Sequence, residues 1–332
     1  MAMNGNDMRW KPGKRGHYEG YYIAFNDPES GRGYWIRYSM VAPTDTDRES
    51  FAQVWFMRTN RAAEPRNRAL RTTFPIDSLG TTTGPFTLEI DSNRLAMDGC
   101  SGRLTGAAGE VAWKLDFEAL LPGIKPTPEW GARMATCYVE PHPLLRLTGT
   151  IHEGGTETRI DGWLGEQAHV FGARHSQRWH WAECKHLGAE GRAFTGVAAW
   201  PKLPGPPRSI TSLFLELGDG RRLLKNTTLN LFKAQTAHSP KAWEFDGEYG
   251  LQRLHGTIAP HREDLIGVTY HDPSGQPIYC YHSELADLTL SYFSRSSRSG
   301  AWKLDEEISA PSSSAFEYGC FEPLEGVPLL LD

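Results

Sequence analysis

The chain has 332 residues, of which 39% are hydrophobic and 11% aromatic, and this is enough apolar material for two hydrophobic cores. A formal net charge of -5 excludes the basic surface that nucleic-acid-binding proteins carry. No apolar run reaches the roughly 20 residues that a membrane-spanning helix requires, and the first residues lack the apolar stretch of a secretory signal. We therefore expect a cytoplasmic protein that binds no nucleic acid and is not stably inserted in a membrane.

Cysteine usage also favours a reducing compartment. The five cysteines are widely spaced, odd in number and without a CxxC pair: Cys100, Cys137, Cys184, Cys280 and Cys320. Free thiols are the simplest interpretation. The content of eleven tryptophans is high, and tryptophan suits the lining of a pocket for a flat, apolar ligand.

Short runs of β-branched and aromatic residues recur along the chain, bounded by Gly, Pro, Asp or Asn. The runs are Tyr21–Phe25, Tyr34–Val41, Phe51–Arg58, Phe86–Ile90, Glu110–Phe117, Leu145–Ile151, Trp179–His186, Ala193–Trp200, Ile210–Leu217, Leu229–Phe232, Leu265–Tyr270, Pro277–His282 and Leu288–Phe293. Their length and spacing predict an all-β protein of antiparallel barrel or sandwich type with few short helices. The prolines between Pro122 and Pro143 exclude a regular central strand there, so we expect strands to resume at Leu145.

Two segments with one pattern predict β-hairpins. Each is a strand, a turn with Asp-Pro and Ser-Gly, and an aromatic-rich strand, and the turns begin at Asp27 and Asp272. The likeness either arises by chance or reflects one β architecture used twice. A polar, glycine-rich stretch at residues 152–162 predicts a boundary between domains at residues 1–158 and 159–332. The final VPLLLD is expected to be an extended segment that packs across a barrel.

The densest group of polar and aromatic residues lies between Asp161 and Leu187. It contains Glu166, Gln167, His169, Arg174, His175, His180, Glu183 and His186 among Trp163, Phe171, Trp179 and Trp181. Acid–base groups beside large rings are typical of a pocket wall. A metal site of His180, Cys184 and His186 on one strand face is an alternative, but their spacing matches no common ligand pattern and we predict no metal. The chain has neither a GxSxG motif nor a glycine-rich phosphate-binding loop.

A second segment, His17–Tyr22, places Glu19 among tyrosines at the start of a strand. In an apolar pocket, burial would raise the pKa of this carboxyl and make it an acid. Glu19 could instead pair with Arg37 or Arg174 as a structural link. Both interpretations stay open on the sequence.

These two segments resemble a known group of proteins. The runs WKPGKRGHYEGYY, DPESGRGYWIRY and GEQAHVFGARHSQRWHW are similar to the lipocalin-like proteins grouped with carotenoid 1,2-hydratase (hydroxyneurosporene synthase), AttH, the tocopherol cyclases and related Diels–Alderases. The resemblance implies two consecutive calycin-like antiparallel β-barrel domains that hold a hydrophobic substrate within or between them. It also implies no metal or organic cofactor. Val170-Phe171-Gly172 stands where hydratases favour Asn-Trp-Gly, which argues against a carotenoid as the substrate.

The resemblance further implies acid-assisted cyclisation, isomerisation or hydration of a polyene, isoprenoid or polyketide-like molecule. Such chemistry needs a general acid, which Glu19 or Glu166 could be if desolvation raises its pKa, and a dry cavity whose aromatic faces stabilise a cation. Our leading hypothesis is thus a cofactor-independent cyclase, isomerase or hydratase of secondary metabolism. A non-catalytic lipocalin-like carrier or sensor of a lipophilic ligand and a carbohydrate-active β-sandwich are the alternatives. The substrate and the oligomeric state are not predicted.

The site residues follow from the matching positions and their chemistry. The predicted catalytic residues are Glu19, Glu166, His169, Arg174 and His175. The predicted substrate-binding residues are Tyr18, Tyr21, Trp35, Trp163, Gln167, Phe171, Trp179 and Trp181. Titratable groups that converge on one spot would favour an enzyme, whereas a uniformly apolar cavity would favour a carrier.

Overall fold

The described part of the chain consists almost entirely of β-strands. The computed structural model describes residues 5–128, 136–201, 209–224, 234–237 and 239–332. The strands of the first sheet are β1 (His17–Asp27), β2 (Arg32–Ala42), β3 (Phe51–Asn60), β4 (Asn67–Pro75), β5 (Leu79–Thr83), β6 (Phe86–Ile90), β7 (Asn93–Ala96), β8 (Gly99–Gly106), β9 (Gly109–Ala119), β10 (Thr136–Glu153) and β11 (Thr156–Gly172). Those of the second sheet are β12 (Arg178–Cys184), β13 (Ala193–Trp200), β14 (Ile210–Glu216), β15 (Arg222–Leu224), β16 (Ala234–Thr236), β17 (Trp243–Tyr249), β18 (Gln252–Ala259), β19 (Ile266–His271), β20 (Pro277–Ser294), β21 (Lys303–Cys320) and β22 (Leu329–Leu331).

Helical structure in these ranges is limited to two short 3-10 turns, Ile76–Ser78 and Arg262–Asp264. Within the same ranges, no helix has the length and apolar character needed to cross a membrane.

Antiparallel pairing of neighbouring strands builds the first sheet. Its order is β4-β3-β2-β1-β11-β10-β9-β8-β7-β6-β5. β1 pairs with β11, so the first and the last strand of this sheet in chain order are neighbours. The sheet curls until β4 lies against β8, and its inner face encloses an apolar core.

The second sheet is built in a similar way. Its order is β15-β14-β13-β12-β21-β20-β18-β17-β16, and its core contains Phe194, Trp243 and Tyr281. β19 forms a hairpin with β20, as β1 does with β2, so both hairpins predicted at Asp27 and Asp272 are present. The terminal β22 lies parallel to β19, which agrees with the extended end predicted from the sequence.

Both faces of β1 are buried, because the second sheet packs against its outer face. Successive side chains of a strand point to opposite faces. Tyr21, Ile23 and Phe25 accordingly point into the core of the first sheet, whereas Tyr22 and Ala24 belong to an apolar cluster shared by both sheets. We call this shared region the inter-sheet interface.

The two sheets approach each other closely at the inter-sheet interface. A Cβ atom on Gly33 would lie 2.2 Å from the Cβ of Glu284, so only glycine lets the strands touch there. Asn26 donates a hydrogen bond to the backbone carbonyl of Glu284 at 2.7 Å. Arg61 pairs with the buried carboxylate of Asp264 at 2.6 Å. These contacts fix the position of one sheet relative to the other.

The predicted all-β architecture of two antiparallel, barrel-like halves is confirmed. The bounds of β6 and β13 are those predicted. The predicted strands Pro277–His282 and Leu288–Phe293 are two parts of one strand, β20, which continues through irregular pairing with β21. The predicted run Leu229–Phe232 lies outside the described residues.

The prediction that strands resume only at Leu145 is wrong. β10 begins at Thr136 and includes Pro141 and Pro143. Its pairing with β11 shifts register twice around these prolines. Irregular pairing tolerates proline because the regular ladder of backbone hydrogen bonds is already interrupted.

The change from the first sheet to the second lies between Gly172, where β11 ends, and Arg178, where β12 begins. The domain boundary predicted at residues 158/159 falls inside β11. The predicted boundary refers to domains that fold independently. Strand pairing alone does not test this, so the boundary stays a prediction.

Candidate active site

The predicted site residues lie on both faces of the first sheet. On β11, Glu166 faces the inter-sheet interface and Lys185, whereas His169 faces the opposite side and Glu19. The register places His169 directly across from Tyr21 on β1. The two segments singled out from the sequence are therefore neighbours, but Glu19 and Glu166 lie on opposite faces and cannot serve one site.

Glu19 is a fully buried carboxylate surrounded by hydrogen-bond donors. The backbone N–H groups of Arg9 and Trp10 donate to it at 2.7 Å, and His17 and His169 donate at 3.0 and 2.8 Å. Burial alone would raise the pKa of Glu19, but the hydrogen bonds from His169 and His17 outweigh burial and hold that pKa well below its ordinary value. The predicted raised pKa is therefore wrong for Glu19, which is an ionised group and not an acid.

The alternative prediction, a link between Glu19 and Arg37 or Arg174, is wrong for Arg37 and stays a prediction for Arg174. The side chains that donate to Glu19 are those of His17 and His169 and the Tyr21 hydroxyl, the last at 3.0 Å. Arg37 lies on the other face of the sheet, over the ring of Tyr270 from β19.

Residues 5–10, here called the N-terminal segment, cover this end of the first sheet. The Gly5 carbonyl accepts a hydrogen bond from His169 Nδ1 at 2.7 Å, and the Asn6 side chain accepts one from Gln167 at 3.2 Å. Met8 closes a narrow crevice of about 140 Å³. Its other walls are Glu19, Tyr21, Tyr38, Ser39, Met40, Leu79, Leu88 and Ile90. The crevice leaves no room even for a water-sized sphere, so it is too small for a polyene.

Five glutamates meet in the inter-sheet interface, buried or nearly so, and we call them the glutamate cluster: Glu140, Glu166, Glu183, Glu284 and Glu317. Lys185 lies between Glu166 and Glu183, with N–O distances of 2.9 and 3.0 Å. The Tyr138 hydroxyl donates to Glu166 at 3.1 Å and accepts the indole N–H of Trp181 at 2.9 Å. A single ammonium thus serves two buried carboxyls, and both sheets contribute to the group.

The other end of the glutamate cluster is organised by His282. Its ring nitrogens contact Glu284 and, at 3.2 Å, Glu317. Burial alone would lower the pKa of His282, but the two carboxylates outweigh burial and raise it to about 9. Glu317 also accepts the indole N–H of Trp179 at 3.0 Å and the Tyr270 hydroxyl at 3.3 Å.

The glutamate cluster has more carboxyl groups than neighbouring cations. Five carboxyls face Lys185, the protonated His282 and the more distant Arg37. Burial, reinforced by the charge of Glu166, raises the pKa of Glu183 to about 8, and the same two causes raise that of Glu140. Burial also raises the pKa of Glu166 itself. Burial and the mutual repulsion of these carboxyls thus favour the protonated form of a glutamate in the cluster.

A histidine–aspartate pair lies at the edge of the same interface. The backbone N–H and Nδ1 of His175 both bond one carboxylate oxygen of Asp272, at 2.7 and 3.0 Å. The ring stacks on Tyr18 at 3.8 Å between centroids, and Tyr270 lies on the second sheet at 5.9 Å. Burial lowers the pKa of His175, so the ring is neutral at pH 7. With Nδ1–H donated to Asp272, the lone pair is at Nε2, where the ring can accept a proton.

Aromatic rings surround these polar groups. The rings of Trp35 and Trp181 lie 5.2 and 6.0 Å from that of His282. Of the predicted substrate-binding residues, the inter-sheet interface and its edge hold Tyr18, Trp35, Trp179 and Trp181. The end covered by the N-terminal segment holds Tyr21, Gln167 and Phe171. Trp163 packs elsewhere, against the core of the first sheet. The backbone carbonyl of Arg174 accepts the hydroxyl of Thr136.

The three residues weighed as a metal site have separate partners. His180 stacks on Trp243 at 5.6 Å, Cys184 contacts a backbone carbonyl, and His186 bonds the Asn26 side chain at 2.9 Å. Among the residues that the structure describes, no group of three or more His, Cys, Asp or Glu side chains is arranged to hold a metal ion.

Most of the glutamate cluster was not predicted from the sequence. One signal was present on β12 and just beyond it, because a period of two puts Trp181, Glu183 and Lys185 on one face. Charged residues that share a face with tryptophan in an otherwise apolar strand indicate a buried polar group. The partners on β20 and β21, by contrast, come together only through the packing of the two sheets.

Fold and site together define an all-β protein of two antiparallel, barrel-like sheets with an aromatic-lined, acidic interface between them. An AttH-like protein of Nitrosomonas europaea has a similar structure, with a TM-score of 0.58 and 12% identity over 93% of this chain and 98% of that one. Kievitone hydratase from Nectria haematococca has a TM-score of 0.55 and 10% identity over 92% of this chain and 89% of the hydratase. The resemblance to the AttH and hydratase group is thereby confirmed for the fold.

Relatives by sequence are also found. Two uncharacterized proteins of Mycobacterium tuberculosis, MT0513 and Rv0493c, are each 26% identical to the chain over 283 residues, which are 85% of this chain and 83% of theirs. No protein-family model matches the chain.

Proposed function

We propose that the protein is a cofactor-independent enzyme that adds water to an alkene of a hydrophobic substrate at the inter-sheet interface. The observation that carries this proposal is the glutamate cluster, in which buried carboxyls lie close together beside tryptophan rings, so that burial favours a protonated carboxyl. A carboxylic acid can protonate an alkene, and the face of an indole stabilises the resulting cation. Kievitone hydratase, whose fold the chain shares, is by its name a hydratase, which favours hydration over cyclisation or isomerisation.

The proposed reaction needs one acid and one proton acceptor. The paired carboxyls of Glu166 and Glu183 supply the proton, which bonds to one alkene carbon. The oxygen of a water molecule bonds to the other carbon, and the proton that this water loses passes to Nε2 of His175. Asp272 holds His175 in position. Alkene and water thus give an alcohol, and solvent returns the acid and the histidine to their starting states.

The remaining predicted catalytic residues take other roles in this proposal. Glu19 and His169 fasten the N-terminal segment and do not touch the substrate. The convergence of titratable groups at one interface also argues against a carrier, for which a uniformly apolar cavity would suffice.

The proposal is tested by incubating the protein with kievitone, with farnesol and with farnesoic acid in H₂¹⁸O and measuring the products by mass spectrometry. We expect a product heavier by one labelled water. Replacement Glu183→Gln removes the acid and should lower the rate by about 10²- to 10⁴-fold. The matched control Glu157→Gln, at an exposed position, should leave the rate unchanged.

Binding of these compounds without water addition would contradict the proposed reaction and favour a carrier. Full activity of the Glu183→Gln variant would contradict the assignment of the acid.

A further inference from the structure

Arg37 is a largely buried cation that makes no direct ion pair with a described acid. It lies on β2 with 7% of its surface exposed and faces the inter-sheet interface. Its guanidinium lies 4.7 Å from the ring centroid of Tyr270 and 5.7 Å from that of Trp35. Its Nε is buried and has no hydrogen-bond partner in the described part of the chain.

A second hydrogen-bond donor without a partner lies beside Arg37. The indole Nε1 of Trp35 is buried and has no hydrogen-bond partner in the described part of the chain. Trp35 and Arg37 are two residues apart on one strand, so both side chains point to the same face. Two unsatisfied donors, one of them charged, therefore face the same region.

Glu317 senses the charge of Arg37 but makes no ion pair with it. The oxygens of Glu317 already accept hydrogen bonds from His282, Trp179 and Tyr270. Contact with aromatic rings offsets only part of the free energy of burying a cation, because a ring is a weak substitute for water or a carboxylate. A buried guanidinium N–H without a hydrogen-bond partner is unfavourable, so a ligand that supplies an acceptor there would be stabilised.

The backbone leaves room for the guanidinium. A Cβ atom on Gly20 would lie 2.8 Å from both Nε and Nη2 of Arg37. The guanidinium therefore rests against β1 at a place where any side chain would displace it.

We propose that Arg37 and the indole N–H of Trp35 bind a carboxylate group of the substrate, which is accordingly a hydrophobic acid. Guanidinium is the side chain best suited to a carboxylate, because its planar donors match the two oxygens. This inference rests on the proposed function and specifies its substrate class. The carboxylate would hold one end of the molecule at Arg37, so that the alkene lies among the tryptophans between His175 and the glutamate cluster.

Binding of farnesoic acid and farnesol, which share one carbon chain, tests the inference. By isothermal titration we expect the wild-type protein to bind the acid at least tenfold more tightly than the alcohol. Arg37→Met should abolish this preference, and Arg37→Lys should retain part of it. Gly20→Ala keeps the charge but displaces the guanidinium, and it should also abolish the preference.

Equal affinity for acid and alcohol in the wild-type protein, absence of binding included, would overturn the carboxylate site. A preference that persists in Arg37→Met would also overturn it, and if that variant does not fold, persistence in Gly20→Ala would do so. The readout is binding and not turnover. Selective binding without uptake of H₂¹⁸O would leave the carboxylate site standing and contradict only the proposed reaction.

Discussion

Replacement of Lys185 by methionine should lower the free energy of unfolding by roughly 3–5 kcal/mol, because it removes one partner from a buried ionic group. The ammonium contacts Glu166 and Glu183 at 2.9 and 3.0 Å and is itself almost fully buried. Burial alone would lower the pKa of Lys185, but these carboxylates outweigh burial and hold it above its ordinary value. Urea unfolding at pH 7 measures the loss.

The exposed Lys303 provides the matched control, and Lys303→Met should change the stability by less than about 0.5 kcal/mol. The double variant Lys185→Met, Glu166→Gln should recover part of the loss, since it removes a carboxylate together with its cation. A Lys185→Met protein as stable as the wild type would mean that this group is not ionised in the native state.

The variant Glu19→Gln should lose roughly 3 kcal/mol or more of stability, because an amide cannot accept all the donors that now surround the carboxylate. Both oxygens accept backbone N–H groups, one from Arg9 and one from Trp10, and each also faces a histidine. The amide nitrogen would meet donors in either orientation. We expect the amides of Arg9 and Trp10 to exchange with D₂O much faster in the variant, as the N-terminal segment loosens.

The pH dependence of this effect follows from the lowered pKa of Glu19. A carboxyl with a depressed native pKa stabilises the fold at pH values above its unfolded pKa, and this contribution is lost as the pH falls through the native value. The difference between wild type and Glu19→Gln should therefore be full at pH 7 and shrink below about pH 4. Glu29→Gln, at an exposed position, is the control. Unchanged amide exchange at Arg9 and Trp10 would contradict the fastening role.

The fold was largely predictable because its signals are local. Alternating and β-branched runs mark strands wherever they occur, and turn residues mark the hairpins at Asp27 and Asp272. The error at β10 arose because the rule that excludes proline from strands applies only to regular pairing. Proline excludes a regular ladder, yet the irregular pairing around Pro141 and Pro143 lets the strand continue.

The site was less predictable because it depends on which face of a sheet each residue occupies. The segment containing Glu166 and His169 was singled out correctly as a neighbour of the strand containing Glu19. Glu166 and His169 are three positions apart on β11, however, so their side chains point to opposite faces of the sheet. His169 faces the N-terminal segment, and Glu166 faces the second sheet. Glu284 and Glu317 come from strands more than a hundred residues away, and no local pattern indicates that they meet Glu166.

Infrared difference spectroscopy between pH 6 and pH 9 can detect a buried carboxylic acid directly, through the carbonyl stretch that only the protonated group has. The raised pKa of Glu183, about 8, predicts such a band in the wild-type protein at pH 6, its loss at pH 9, and a weaker band in the Glu183→Gln variant. A wild-type spectrum without a protonated carboxyl at pH 6 would contradict the presence of an acid between the two sheets.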